Sequence, residues 1–123
     1  MNYTQSFTVN PTHLYCLTAG AVTDAQSLID WGLAIVRMAQ EKKRPRILVD
    51  NREFILELSP LDVVEFASYF EERDIAFLGL RLAVLSSPSR PQTTRLVETA
   101  LTNRSASYRR FTSTEEAQAW LES

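Results

Sequence analysis

The chain has 123 residues, 45% hydrophobic and 23% charged, with 13 basic against 15 acidic side chains and a net charge of −2. That balance excludes disorder, collagen and coiled coil, and a chain this long builds one continuous core rather than two, so residues 1–123 are read as a single domain. A pI near 5.4 argues against nucleic-acid binding, which calls for a basic domain.

No apolar stretch approaches the roughly 20 residues that span a bilayer, so no membrane insertion is expected. The opening Met-Asn-Tyr-Thr-Gln lacks the basic and apolar regions of a signal peptide. A single cysteine, Cys16, forms no internal disulfide, and a cytoplasmic location is the expectation. The three glycines, Gly20, Gly32 and Gly79, are too far apart for a P-loop or a dinucleotide fingerprint. One histidine, His13, precludes metal sites built on several His or Cys ligands, and neither metal nor cofactor is expected. His13 and Cys16 lie three apart in a strand, hence on opposite faces. They are read as a strand-end histidine and a packed thiol, not as a base and a nucleophile.

Along the chain, residues 1–22 carry no charge. Tyr3, Phe7 and Val9 alternate with Thr4, Ser6 and Thr8, the pattern of a half-buried strand. Asn10-Pro11 marks a turn, and a second strand begins at Leu14. Thr23-Asp24-Ala25-Gln26 reads as a capping box with Thr23 as the cap, opening a helix to about Lys43. Its core stripe is Ala25, Leu28, Ile29, Gly32, Ile35, Val36 and Ala39; Trp31 and Met38 fall beside that stripe. Ile47-Leu48-Val49 is a short buried strand closing on Asp50. Ser59-Pro60-Leu61-Asp62 opens a second helix, with serine as cap and proline at the first position, burying Val63, Phe66, Ala67 and Phe70. Leu82-Ala83-Val84-Leu85 is apolar without alternation, as in a parallel strand covered on both faces. A third helix is read over Leu96, Val97, Ala100 and Leu101, then a strand from Tyr108 to Phe111. Ser113-Thr114-Glu115-Glu116 is a further capping box, before a short helix burying Ala117, Trp120 and Leu121.

The order is β-β-α-β-α-β-α-β-α. It predicts a mixed, mainly parallel α/β sheet of four to five strands with right-handed crossovers, an antiparallel N-terminal edge strand and about four helices.

The opening strand pair, the strand Ile47-Leu48-Val49-Asp50, the loop to a helix at Ser59 and the C-terminal run from Arg110 to Leu121 together resemble the SpoIIAA-like, or STAS-like, domains of bacteria. The resemblance covers nearly the whole chain. It implies a non-enzymatic regulatory or binding module with a protein partner. In the anti-sigma-factor antagonists of that family, a serine at the start of the second helix is phosphorylated, and the matching position is Ser59. Leu58-Ser59-Pro60-Leu61 lacks the acidic residue directly before the serine and the glycine after it. Ser59 is therefore expected to be a helix cap, replaceable by aspartate. The resemblance also admits a carrier of a small apolar or lipid-like ligand; a hydrolytic enzyme comes third.

Ligands of parallel α/β sheets sit beyond the carboxyl ends of the strands. There, Ser86, Ser87, Ser89 and Arg90 bring hydroxyls and a guanidinium beside a helix amino end, a candidate anion site. Charge is uneven: residues 53–74 hold seven acids and one arginine, and residues 81–110 hold six arginines and one acid. Finally, a charge-free opening strand at a sheet edge, with Trp31 and Met38 as further apolar surface, predicts a homodimer.

Overall fold

The computed structural model describes residues 3–72, 79–86 and 107–123. Within them run β1 (Tyr3–Val9), β2 (Leu14–Val22), α1 (Ala25–Glu41), β3 (Arg46–Leu56), α2 (Pro60–Glu72), β4 (Arg81–Leu85), β5 (Ser107–Phe111) and α3 (Thr114–Glu122). The third helix of the sequence reading, with Leu96, Val97, Ala100 and Leu101, lies outside the described residues, which contain three helices.

The strands form one sheet in the order β1-β2-β3-β4-β5. β1 and β2 are antiparallel, and the remaining neighbours are parallel. This is the expected mixed sheet with an antiparallel edge. Alternate residues of a strand point to opposite faces, and each face has its own core. On one, Leu14, Cys16, Ile47, Val49, Leu82 and Val84 pack with Leu28, Trp31 and Ile35 of α1 and with Phe66 and Phe70 of α2. On the other, Leu48, Ala83 and Leu85 pack with Ala117 and Leu121 of α3.

The core stripe read for α1 is buried throughout. Gly32 makes room for α2: a Cβ there would sit 3.0 Å from Phe70 Cζ. Gly20, at φ 109, lies between Tyr3 and Phe54 in the sheet register. It leaves room for those two rings to meet at 6.0 Å.

Four details differ from the sequence reading. The cap of α1 is Asp24, whose Oδ1 accepts from Ser27 N at 2.7 Å, and not Thr23. Gln26 donates instead to Asp30 at 2.9 Å, so the four-residue pattern was off by one position. Trp31 is buried, 4% exposed, because its indole N–H donates to Thr18 Oγ1 at 3.1 Å and its ring packs on Phe54 at 5.5 Å. It belongs to the core and offers no free surface. α1 stops at Glu41, and Lys43 takes φ +54. Arg44 N donates to Ala39 O at 3.0 Å and Lys43 N to Gln40 O at 3.3 Å, the paired bonds of a Schellman ending. Lastly, β3 continues six residues beyond Asp50.

Candidate functional site

The continuation of β3 creates a step in the sheet. β3 pairs with β4 only as far as Asp50↔Leu85, whereas β2 and β3 run on together to Val22↔Leu56. At the step the β2–β3 register slips between Leu17 and Ala19, so Asn51 and Arg52 of β3 stand opposite Thr18 alone. Bulges of this kind bend a strand and redirect its side chains.

Asp50 sits just before the slip and is 3% exposed. Tyr15 Oη donates to its Oδ2 at 2.8 Å. Arg52 donates twice from its side chain, Nε to Oδ1 at 3.0 Å and Nη2 to Oδ2 at 2.7 Å, and its backbone N–H adds a bond to Oδ1 at 3.3 Å. Burial alone would raise the Asp50 pKa, but these bonds and the guanidinium charge together hold it below the usual carboxylate value. Burial, followed by the bond to Asp50, raises the Tyr15 phenol, which keeps it a donor. Each carboxylate oxygen accepts two bonds, which fills its capacity. The cluster therefore fastens β2 to the bulge of β3 and leaves Asp50 no open position for a ligand. From local pattern alone Asp50 falls at a strand end, and the cluster is not visible there. Its signal was the Asp-x-Arg spacing, since residues two apart in a strand share a face.

Ser59 stands where the second helix starts. Its Oγ accepts from Asp62 N at 3.2 Å and donates to Asp62 Oδ2 at 3.0 Å, while Ser59 N donates to the same carboxylate at 2.9 Å. This reciprocal arrangement is a capping box with Asp62 as the returning acid. It weighs against the expectation that aspartate replaces Ser59 without cost. A carboxylate there would meet Asp62 at hydrogen-bond distance, like charge on like charge.

Ser86 follows β4 and is buried. Its N–H donates to Phe111 O at 3.0 Å, and its Oγ accepts from Arg110 Nη1 at 3.5 Å. The other members of the candidate anion site, Ser87, Ser89 and Arg90, lie outside the described residues. His13 and Cys16 are occupied separately. The imidazole lies 3.2 Å from both Asn10 Nδ2 and Thr12 Oγ1. The thiol, near Gln5 and Thr18, is pushed up to about 11 by burial.

The first turns of α2 present a different kind of surface. Val63, Phe66 and Phe70 face the core, but Leu61 and Val64 lie off that stripe and are 67% and 58% exposed. Glu57 and Glu65 are exposed beside them in sequence. Two bare aliphatic side chains at i, i+3 thus share one helix face next to the Ser59 cap.

No family model matches this chain, and no curated protein matches it. Among solved structures it is similar to an uncharacterized protein of the DUF3478 family with a SpoIIAA-like fold from Shewanella loihica PV-4. The two share 13% identity with a TM-score of 0.57, over 98% of this chain and 94% of that one. The chain has a SpoIIAA-like α/β fold. No helix among the described residues is long and apolar enough to cross a membrane.

Proposed function

We propose that the chain is a non-enzymatic module of the regulatory or binding kind, docking a protein partner on the first turns of α2. The observation that carries this reading is the pair Leu61 and Val64, exposed on a helix whose sequence neighbourhood is strongly acidic. Apolar anchors within a charged surround suit a partner surface with an apolar pocket rimmed by lysine and arginine. The bonding around Asp50 agrees with it, since that carboxylate is engaged in holding strands together. A carrier would need apolar room between helices and sheet, where Leu28, Ile35, Phe66 and Phe70 instead pack with Ile47, Val49 and Val84. The groove of about 330 Å³ lined by Ala39, Gln40, Lys43, Arg44, Pro45, Gly79 and Leu80 opens at the opposite end, before the starts of β3 and β4.

The test is affinity capture from extract of the source cells, using the parent and a Leu61→Asp/Val64→Asp variant of matched thermal stability. A protein retained by the parent in a salt-sensitive way and lost on the variant is the expected result. Capture indifferent to the two substitutions would overturn this docking surface. A stoichiometric small molecule in the native mass spectrum would favour the carrier.

A further inference from the structure

We infer that β1 is the self-pairing edge of a twofold homodimer, in which the sheets of two copies join as one. Among the described residues β1 is an edge strand, with β2 as its one neighbour in the sheet. Its ladder with β2 is regular through seven consecutive pairs, from Tyr3↔Gly20 to Val9↔Leu14, so no bulge twists the free side away from a partner.

The direction of the open groups follows from the hairpin. Asn10 N–H donates to the His13 carbonyl at 2.9 Å, which makes that facing pair a hydrogen-bonded one. Such pairs alternate along an antiparallel ladder. Thr8, Ser6 and Thr4 therefore turn their backbone groups toward β2. Tyr3, Gln5, Phe7 and Val9 turn theirs outward.

Those four residues are symmetric about Ser6. An antiparallel second copy satisfies all of them at once when Gln5 faces the partner's Phe7, Tyr3 faces the partner's Val9, and the axis passes between the two copies of Ser6.

Charge identifies the occupant. In twofold self-pairing, the residue on the axis meets itself and its neighbours meet residues of the same short strand. A lysine or glutamate on the edge would then face like charge at close range. Residues 1–22 contain neither sign. On one face of the joint, Thr4, Ser6 and Thr8 are exposed hydroxyl side chains, which pair across strands without electrostatic cost.

The other face is overhung by one flank of α1. Tyr3 Oη donates to Ser27 O at 3.4 Å and Gln5 Nε2 to Trp31 O at 3.1 Å, which places Ser27 and Trp31 over β1. Ala34 and Met38 continue that stripe at helical spacing. They are half-buried and uncharged, as is Phe7, and Val9 is 44% exposed. A specific interface buries about 800 Å² per partner, more than a short strand edge supplies. The uncharged flank of α1 widens the joint on the side where the second copy's flank arrives.

Sedimentation equilibrium at tens of micromolar should give twice 14.0 kDa for the parent protein. Ser6→Lys, at an exposed position, should halve that mass while leaving the circular dichroism spectrum unchanged. Mixing Ser6→Lys with Ser6→Glu should restore the doubled mass, because in this register position 6 faces its own copy. Hydrogen exchange supplies the second readout: the Gln5 and Phe7 amides are protected in the parent and fast in Ser6→Lys. A parent mass of 14.0 kDa overturns the inference. So does a doubled mass that Ser6→Lys leaves intact, or fast exchange of both amides in a doubled-mass parent.

Discussion

Asp50 shows how a single buried carboxylate can set local geometry. At 3% exposure it has given up most of its hydration, a cost of several kcal/mol unless donors replace the water. Arg52 and Tyr15 supply those donors from two strands, and Arg52 reaches back over the bulge to do so. Arg52 is half-exposed, with 49% of its side-chain surface open, so screening tempers the charge term and the geometry of the bonds matters more. Replacing Arg52 with Met should cost about 2 kcal/mol, the range for hydrogen bonds to a charged group. The pH dependence follows from the lowered Asp50 pKa. A carboxylate whose folded value is depressed stabilises the fold above its unfolded value, about 4, and loses that contribution as pH falls through the folded value. The parent's resistance to urea should therefore weaken as pH drops below about 4. The Arg52→Met protein should show a shallower decline over the same window. Equal slopes for the two proteins would mean that the pair does not hold the carboxylate in its charged form.

At the scale of elements, what was legible in the sequence was what local pattern alone determines. The stripe Leu28, Ile29, Gly32, Ile35, Val36 and Ala39, the Ser59 and Ser113 caps and the run from Leu82 to Leu85 all stand where periodicity and capping chemistry put them. Two of the readings that shifted, Trp31 and the length of β3, depended on contacts far along the chain. Trp31 joins the core because Thr18 and Phe54 wait for it on β2 and β3, and no helical period reports that. β3 runs past Asp50 because β2 continues beside it and the bulge absorbs a mismatch in register. The same distance hid the Tyr15–Asp50–Arg52 cluster, since Tyr15 is 35 residues from Asp50. The end of α1 gives this scale its prediction. Lys43 occupies the left-handed position of the Schellman ending, at φ +54, where a side chain costs roughly 1 kcal/mol that glycine avoids. Lys43→Gly should raise the unfolding free energy by about 0.5–1 kcal/mol, read from the urea midpoint at unchanged slope. A loss of stability would show that the Lys43 side chain contributes more than its backbone conformation costs.

For the whole molecule, the two sheet faces are dressed unequally. α1 and α2 cover one face with a core that reaches from Tyr3 on the edge to Val84 on β4. α3 covers the other face from β3 onward, with Trp120 against Phe111 and the Arg81 guanidinium 4.3 Å above the Trp120 ring. Among the described residues, β1 and β2 are held by the helix layer on one face, by the β2–β3 ladder, by the Tyr15 bond to Asp50 and by a Thr12 bond to Glu122 at the end of α3. Cys16 reports whether that is enough to make them part of one cooperative unit. It is fully buried on β2, opposite Phe7 and beside Val49, and its thiol is pushed up to about 11 by burial. The thiolate is the reactive form, so in the folded state at neutral to mildly alkaline pH the group is both inaccessible and protonated. Labelling by a thiol reagent then requires an opening that exposes Cys16. Because the core on this face ties Cys16 to α1, α2, β3 and β4, that opening should be global unfolding. The free energy from labelling rates, measured across increasing urea, should match the free energy from loss of helical circular dichroism, with the same dependence on urea. A labelling free energy well below the global value, with a shallow urea dependence, would instead show the β1–β2 hairpin separating from an otherwise intact sheet.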